Sequence, residues 1–288
     1  MNIREFKAFA KARLGQTREA PEIRVIVSSL LANFAGVPHY WYHTEEDHVL
    51  SPAAEKVLLE AVRQAAQGKP LQYILGYVTF GECRIAVNEH VLIPRPETEE
   101  LWNMAKQTNG DILDACTGSG CLAVALKKAD PQRKVFAFDV SLSALELAKK
   151  NAVDNNVNIE LFPADLNDLN GLEQAAGRVG LKKRYLGLIT ANPPYVTQRE
   201  KEQMAHGVLA FEPHLALFVP DEDPMQFYRP LATLGSLYLK NGGILLAEIN
   251  EKFGQEVSLL MQDTGYTDIR IHKDLHKKNR FVEAKWIQ

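Results

Sequence analysis

The sequence has little cysteine, no long apolar run and no excess of charge of either sign. Its three cysteines, Cys83, Cys116 and Cys121, are an odd number with no ladder of spacings, which excludes a disulfide framework. Cys116 and Cys121 are too few for structural zinc, and no histidine is spaced to complete a ligand set, so no metal is expected. Reduced thiols suit the cytoplasm. No stretch approaches the roughly 20 apolar residues of a membrane span. The opening residues, Met1 to Lys7, carry charges where a secretory signal needs its apolar core. A cytoplasmic protein without membrane attachment is therefore expected. Lys and Arg number 33 against 36 Asp and Glu, a net charge of −3. That balance makes no electrostatic case for direct binding of nucleic acid. Low-complexity tracts and internal repeats are also missing, which argues against flexible linkers and solenoids.

What is present is an ordinary globular composition. The 288 residues are 46% apolar, enough for one large domain or two smaller ones. Residues 1–70 read as helices. Ile3, Phe6, Phe9, Ala10 and Leu14 recur at helical spacing, as do Ile23, Ile26, Val27, Leu30, Leu31 and Phe34 before Gly36. Ser51-Pro52 is a cap followed by proline at the first helical position. Tyr40, Trp41 and Tyr42 read as packing residues, and His39, His43 and His48 as a solvated loop. Residues 71–95 read as a β-hairpin connector, with strands Tyr73–Phe80 and Cys83–Val87 around Gly81-Glu82. From residue 96 strands and helices alternate, with strands near 112–115, 135–138, 159–162, 186–189, 243–248, 267–272 and 280–286. The pattern predicts a mostly parallel α/β sheet whose last two strands pair antiparallel at one edge.

Ligands of such sheets sit beyond the carboxyl ends of the strands. Asp114-Ala-Cys-Thr-Gly-Ser-Gly120 joins the first strand to its helix, and Asp139 ends the second strand, 21 residues after Gly118. Glycines allow close backbone approach, and a carboxylate at this spacing grips ribose hydroxyls. A tight strand-to-helix turn would use the same glycines, and Ala123 in the third fingerprint position leaves a dinucleotide open. Strand four ends in Ala191-Asn192-Pro193-Pro194-Tyr195. Two prolines remove two backbone donors and stiffen the turn. The carbonyls and the Asn192 side-chain oxygen then form a cluster of acceptors suited to an –NH2 group, with Tyr195 offering a flat face.

Together with Leu92–Glu99, Pro70–Gly76, Phe211-Glu-Pro213 and Lys278-Asn-Arg-Phe281, these motifs resemble the HemK/PrmC family of peptide chain release factor glutamine N5-methyltransferases. The resemblance covers residues 70–288 by motif and 1–70 by helical character. It implies a Rossmann-like class I methyltransferase domain at 96–288 with a mostly parallel seven-stranded sheet, after a helical substrate-recognition domain (1–70) and the connector (71–95). It implies S-adenosyl-L-methionine as methyl donor, S-adenosyl-L-homocysteine as product, and the glutamine of the Gly-Gly-Gln motif of class-I release factors as substrate; a monomer is expected. Cys116, Thr117, Gly118, Ser119 and Gly120 would line the methionine part of the cofactor. Asp139 would hold the ribose, Asp165 and Leu166 would flank the adenine, and Asn192, Pro193, Pro194 and Tyr195 would hold the glutamine.

Asn192, which also borders the cofactor, would be catalytic, its oxygen and the Pro193 carbonyl accepting the two amide protons. Two departures concern the cofactor. Cys116 carries a side chain where glycine is common, so an L-compatible backbone is expected there. Leu166 stands where an aromatic residue is common. Arg95, Glu97 and Glu99 are read as a helix start or a lid, and Glu248 as a structural or a site residue. Lys273, Lys277, Lys278 and Arg280 are read as a solvated edge or a contact for an RNA-bearing partner. The competing readings are an amino-methyltransferase acting on a nucleic-acid base and a non-catalytic cofactor-binding protein.

Overall fold

The structure is a computed structural model that describes residues 1–287. The chain forms two compact units. The first comprises Met1–Gly76 with Ala205–Phe211, and the second the rest. In the first unit, α1 (Ile3–Leu14) starts in a capping box. The Asn2 side chain accepts the Glu5 N–H and the Glu5 carboxylate accepts the Asn2 N–H, each at 2.9 Å. α2 (Ala20–Ala35) stops at Gly36, whose φ of +67° favours glycine. The short α3 (Trp41–Thr44) leads to α4 (Pro52–Ala66), capped by Ser51. Phe6, Leu14, Leu30, Leu31, Leu58 and Val62 form a core of their own, with Trp41 and Tyr42 packed at its margin and Tyr40 exposed.

Here the structure departs from the sequence reading. Residues 71–75 are a helix, α5 (Leu71–Leu75), and the strand begins only at Tyr77. Leu71, Ile74 and Leu75 have the i, i+3, i+4 spacing of a helix and pack on the helical core. Gly76, at φ +80°, closes the turn. The helical unit therefore continues past Pro70.

The second unit opens with the hairpin β1 (Tyr77–Phe80) and β2 (Cys83–Ala86), which turns at Gly81. Then come α6 (Pro96–Ala105), β3 (Ile112–Ala115), α7 (Cys121–Ala129), β4 (Val135–Asp139), α8 (Leu142–Asp154), β5 (Glu160–Pro163), α9 (Leu169–Arg178) and β6 (Leu186–Ala191). A small parallel pair, β7 (Val196–Thr197) and β8 (Phe218–Val219), brackets α10 (His206–Phe211), which belongs to the helical unit. α11 (Tyr228–Tyr238), β9 (Leu239–Glu248), α12 (Gly254–Thr264), β10 (Tyr266–Lys273) and β11 (Asn279–Trp286) complete it. The seven-stranded sheet has the order β10-β11-β9-β6-β3-β4-β5, and only the pairings of β11 are antiparallel. This is a Rossmann-like sheet with the antiparallel C-terminal edge that the sequence predicts. The sequence reading had no counterpart for α9 or for the β7–β8 pair. β3 and β6 are buried along their whole length, as strands covered on both faces must be.

The free edge of β2 is met by two asparagines four residues apart, Asn151 on α8 and Asn155 at its C-cap. The Asn151 side chain accepts the Ala86 N–H at 2.7 Å and donates to the Ala86 carbonyl at 3.0 Å. Asn155 does the same for Arg84, at 3.2 and 2.9 Å. Four helical residues rise about 6 Å and two strand residues about 6.6 Å, so the two repeats match. Asn151 also donates to the Ser119 carbonyl at 2.8 Å, which ties the hairpin to the β3–α7 loop. Replacing Asn151 with Leu strands buried backbone groups that cost about 1–3 kcal/mol each. Urea unfolding of Asn151→Leu is expected to show a loss of at least about 2 kcal/mol, and an unchanged midpoint would contradict this role.

Candidate functional site

A cavity of about 380 Å³ lies beyond the carboxyl ends of β3, β4, β5 and β6, within the range of about 300–1,000 Å³ usual for small-molecule sites. Cys116, Thr117, Gly118 and Ser119 line it from the β3–α7 loop, Asp139 from the end of β4, Asp165 and Leu166 after β5, and Asn192 and Pro194 after β6. Glu89, His90, Val91 and Leu92 with Pro213, Leu215 and Ala216 supply part of the remaining walls. Gly120, Pro193 and Tyr195, which the sequence reading grouped with the site, do not line the cavity.

The loop after β3 is built on a buried carboxylate. Asp114 accepts the Thr117 hydroxyl at 2.6 Å and the Thr190 hydroxyl at 2.7 Å. Burial pushes its pKa up to about 6. Gly118, at φ +54°, faces open space where a Cβ would stand, and its N–H donates to Asp139 Oδ2 at 2.8 Å. The Ser141 N–H reaches Asp139 Oδ1 at 2.9 Å. Each Asp139 oxygen thus holds one backbone donor and keeps acceptor capacity for a ligand hydroxyl, and burial raises its pKa. Gly120, at φ +76°, serves packing, because a Cβ there would stand 2.9 Å from the Ala148 Cβ. Cys116 corrects an expectation. Its φ is +58°, in the left-handed region that costs an L-residue about 1–2 kcal/mol. Burial, with Asp139, Asp114 and Asp165 nearby, pushes its thiol well up, so it stays neutral.

The loop after β6 is held through Thr98, which lines the same cavity. Asn192 Nδ2 donates to Thr98 Oγ1 at 3.3 Å, and the Thr98 hydroxyl donates to Glu248 Oε1 at 2.6 Å. The Asn192 oxygen has no hydrogen bond among the described residues. Glu248 ends β9 fully buried, and burial pushes its pKa up to about 7. Tyr195 packs on the main core with its hydroxyl 3.4 Å from Glu248 Oε2, and Asn250 Nδ2 donates to its carbonyl at 3.1 Å. Pro193 is buried.

Arg95, Glu97 and Glu99, read as a helix start or a lid, do start a helix: Arg95 is the N-cap of α6, and Glu97 and Glu99 lie in its first turn. Arg95 pairs with buried Glu212 at 2.7 Å, Glu212 also accepts the Ile93 N–H at 3.1 Å, and Glu99 accepts the Gly81 N–H at 3.2 Å. Of the basic cluster, Lys278 pairs with Glu251 at 3.1 Å and Arg280 with Asp274 at 3.0 Å. Sequence reasoning missed Thr98. The available signal was a polar β-branched residue in the first turn of α6 that serves no cap.

Residues 7–76 match the profile of the PrmC N-terminal domain, and residues 100–212 that of the methyltransferase small domain. The release factor glutamine methyltransferase of Bacteroides thetaiotaomicron is 35% identical over 96% of this chain and 98% of its own length. The chain belongs to the release factor glutamine methyltransferase family. Relatives of the same name from Flavobacterium psychrophilum (40% identity, 81% of this chain and 79% of that one) and Streptococcus pneumoniae (35%, 96% and 95%) accompany it in this glutamine methyltransferase family. A solved methyltransferase from Pyrococcus furiosus, at TM-score 0.52, 16% identity and coverage of 72% of this chain and 91% of that one, shares the fold.

The buried anchor of this family member leaves a pH signature. Asp114 binds its proton more tightly folded than unfolded, at about 6 against the usual 3.8. Between those values the native state holds more protons, so stability falls as pH rises from about 4 to about 6. The full change corresponds to about 3 kcal/mol. The stability difference between the parent and Asp114→Asn, measured by denaturant titration, is expected to move in the variant's favour by that order across this window and to level off outside it.

Proposed function

We propose that this protein transfers a methyl group from S-adenosylmethionine to the side-chain amide N5 of the glutamine in the Gly-Gly-Gln motif of class-I release factors. The observation that carries the reading is an acceptor with no hydrogen bond among the described residues, the Asn192 oxygen, in the lining of a cofactor-sized cavity and oriented by its own amide nitrogen. The cavity also fits the donor chemically. It offers a carboxylate with spare acceptor capacity at the end of β4, the apolar Leu166 and Phe138, and the open space before Gly118. Bound there, S-adenosylmethionine would supply an electrophilic methyl group on a sulfonium.

The protein's part is orientation. An amide nitrogen is a poor nucleophile because its lone pair is delocalised into the carbonyl. Asn192 Oδ1, on a residue that lines the cavity, accepts a hydrogen bond from the substrate amide N–H, which orients the remaining lone pair. The same acceptor favours the positive charge that develops on nitrogen. Fixing reactants in line is worth up to about 7–11 kcal/mol; the cationic N-methyl amide that forms is strongly acidic and loses one N–H proton to water, so no strong base is required beside the nitrogen. We propose that the helical unit, which contributes no residue to the cavity, orients the release factor. Full activity on intact release factor by a chain beginning at Tyr77 would remove that role.

The direct test is incubation with labelled S-adenosylmethionine and purified release factor, with the labelled residue mapped by mass spectrometry. Label on any residue other than that glutamine would refute the reading. Asn192→Ala is expected to leave donor affinity near the parental value and to lower single-turnover methyl transfer by about 10²–10³. Asn192→Asp keeps an acceptor but buries a charge, so its rate should fall between the two.

A further inference from the structure

The acceptor loop alone does not determine which end of the Asn192 amide meets the substrate. The two ends are nearly isosteric, and the wrong one presents a donor to a donor. A chain of hydrogen bonds through Thr98, at the cavity wall, to buried Glu248 makes the choice. Asn192 Nδ2 donates to Thr98 Oγ1 at 3.3 Å because the Thr98 hydrogen is already committed to Glu248 Oε1 at 2.6 Å. With its one hydrogen spent, the Thr98 oxygen can only accept. Thr98 is 2% exposed and Glu248 1%, so water does not compete.

We propose that Thr98 and Glu248 are positioning residues for the transfer reaction: the Glu248 carboxylate, through the Thr98 hydroxyl, locks the Asn192 amide with its oxygen toward the substrate nitrogen. The proposal rests on the reading of the protein as a glutamine-amide methyltransferase.

The geometry around Glu248 keeps this lock in one direction. The Tyr195 hydroxyl donates to the other carboxylate oxygen at 3.4 Å, and the Tyr228 hydroxyl to the Glu248 backbone carbonyl at 3.2 Å. Glu97 on α6, Cys121 on α7, Tyr195 after β6, Tyr228 on α11 and Arg280 on β11 are the titratable groups whose fields reach it. Arg280 favours the carboxylate and Glu97 disfavours it, while burial raises the pKa to about 7. A protonated Glu248 becomes a donor to Thr98. The Thr98 hydrogen is then released toward Asn192, and the amide turns its nitrogen to the substrate. The lock holds when Glu248 is ionised and reverses when it is not, so activity should rise with pH through about 7.

The experiment compares the parent, Thr98→Val, Thr98→Ser and Glu248→Gln on the same purified release factor at saturating S-adenosylmethionine, from pH 5.5 to 9. Donor affinity is measured by calorimetry and KM for release factor is determined separately. Thr98→Val, equal in size but without the hydroxyl, should lower kcat about 10- to 100-fold, the cost of misplacing a reacting group. Its donor affinity and KM should stay close to the parent's, and Thr98→Ser should recover most of the rate. The acid limb of kcat near pH 7 should be present in the parent and absent in Glu248→Gln, whose side chain does not titrate. Parental kcat in Thr98→Val, equal loss of kcat and donor binding, or an acid limb that persists in Glu248→Gln would each overturn the relay. Should Thr98→Val not fold, the pH profile of Glu248→Gln decides. A parent that methylates no glutamine overturns the proposed function and the relay with it, whereas an active parent beside an unimpaired Thr98→Val overturns the relay alone.

Discussion

The hydrogen bond from Thr190 to Asp114 crosses the β3–β6 pair at the position where the two residues stand opposite each other in register. β3 leads into the glycine loop and β6 into the acceptor loop, so this contact fixes the separation of the two halves of the site. A slip of one residue would turn Asp114 and Thr190 to opposite faces and break the bond. The second Asp114 oxygen holds Thr117, and the Thr117 N–H donates to the Phe138 carbonyl at 3.0 Å on β4. Three strand ends are therefore referenced to one carboxylate. The helical unit does not share this frame. It has its own core and its own caps.

Two more buried carboxylates join segments that are distant in the chain. Glu212 collects Arg95 and the Ile93 N–H, which joins the irregular segment before α6 to the wall after α10. Glu248 collects Thr98 and Tyr195. Burial of a charge is costly unless its lone pairs are met, and each of these acids is met by two side-chain or backbone donors. Such a node tolerates few alternatives, because removing one donor leaves an uncompensated acceptor behind. That suits walls that must hold one shape around a ligand.

What was legible in the sequence was local. The glycine turn after Asp114, Asp139 at its fixed distance and the Asn192 loop each lie within a few residues of a strand end, so their place follows from the alternation of strands and helices. Thr98 and Glu248 are 150 residues apart, and no periodicity says that the first turn of α6 meets the last residue of β9. Residues 71–75 were misread because a short apolar run with β-branched and aromatic residues fits either period, and only the packing of Leu71, Ile74 and Leu75 decides for the helix. Cys116 escaped for another reason. Backbone conformation is set by the loop's anchors at Asp114 and Thr117, and a cysteine in the left-handed region leaves no trace in composition. Tyr195 looked like a stacking residue beside the prolines, yet in an extended segment alternate side chains face opposite ways. Pro194 takes the cavity side and Tyr195 the core.

The placement of the acid bears on the kind of catalysis the site can offer. A carboxylate beside the amide nitrogen would compete with Asn192 for the same protons and would need its own desolvation within the cavity. Glu248 sits behind a hydroxyl instead, fully buried and in contact with Thr98 and Tyr195. From there it can polarise and orient a neutral amide while no formal charge enters the space where the nitrogen must fit. The cost is a carboxyl group whose burial lifts its pKa toward neutrality, and the Arg280 guanidinium on β11 offsets part of that rise. The antiparallel C-terminal edge of the sheet thus does more than close the fold. By bringing Arg280 toward the last residue of β9, it helps keep Glu248 ionised, and the direction of the Asn192 amide depends on that charge.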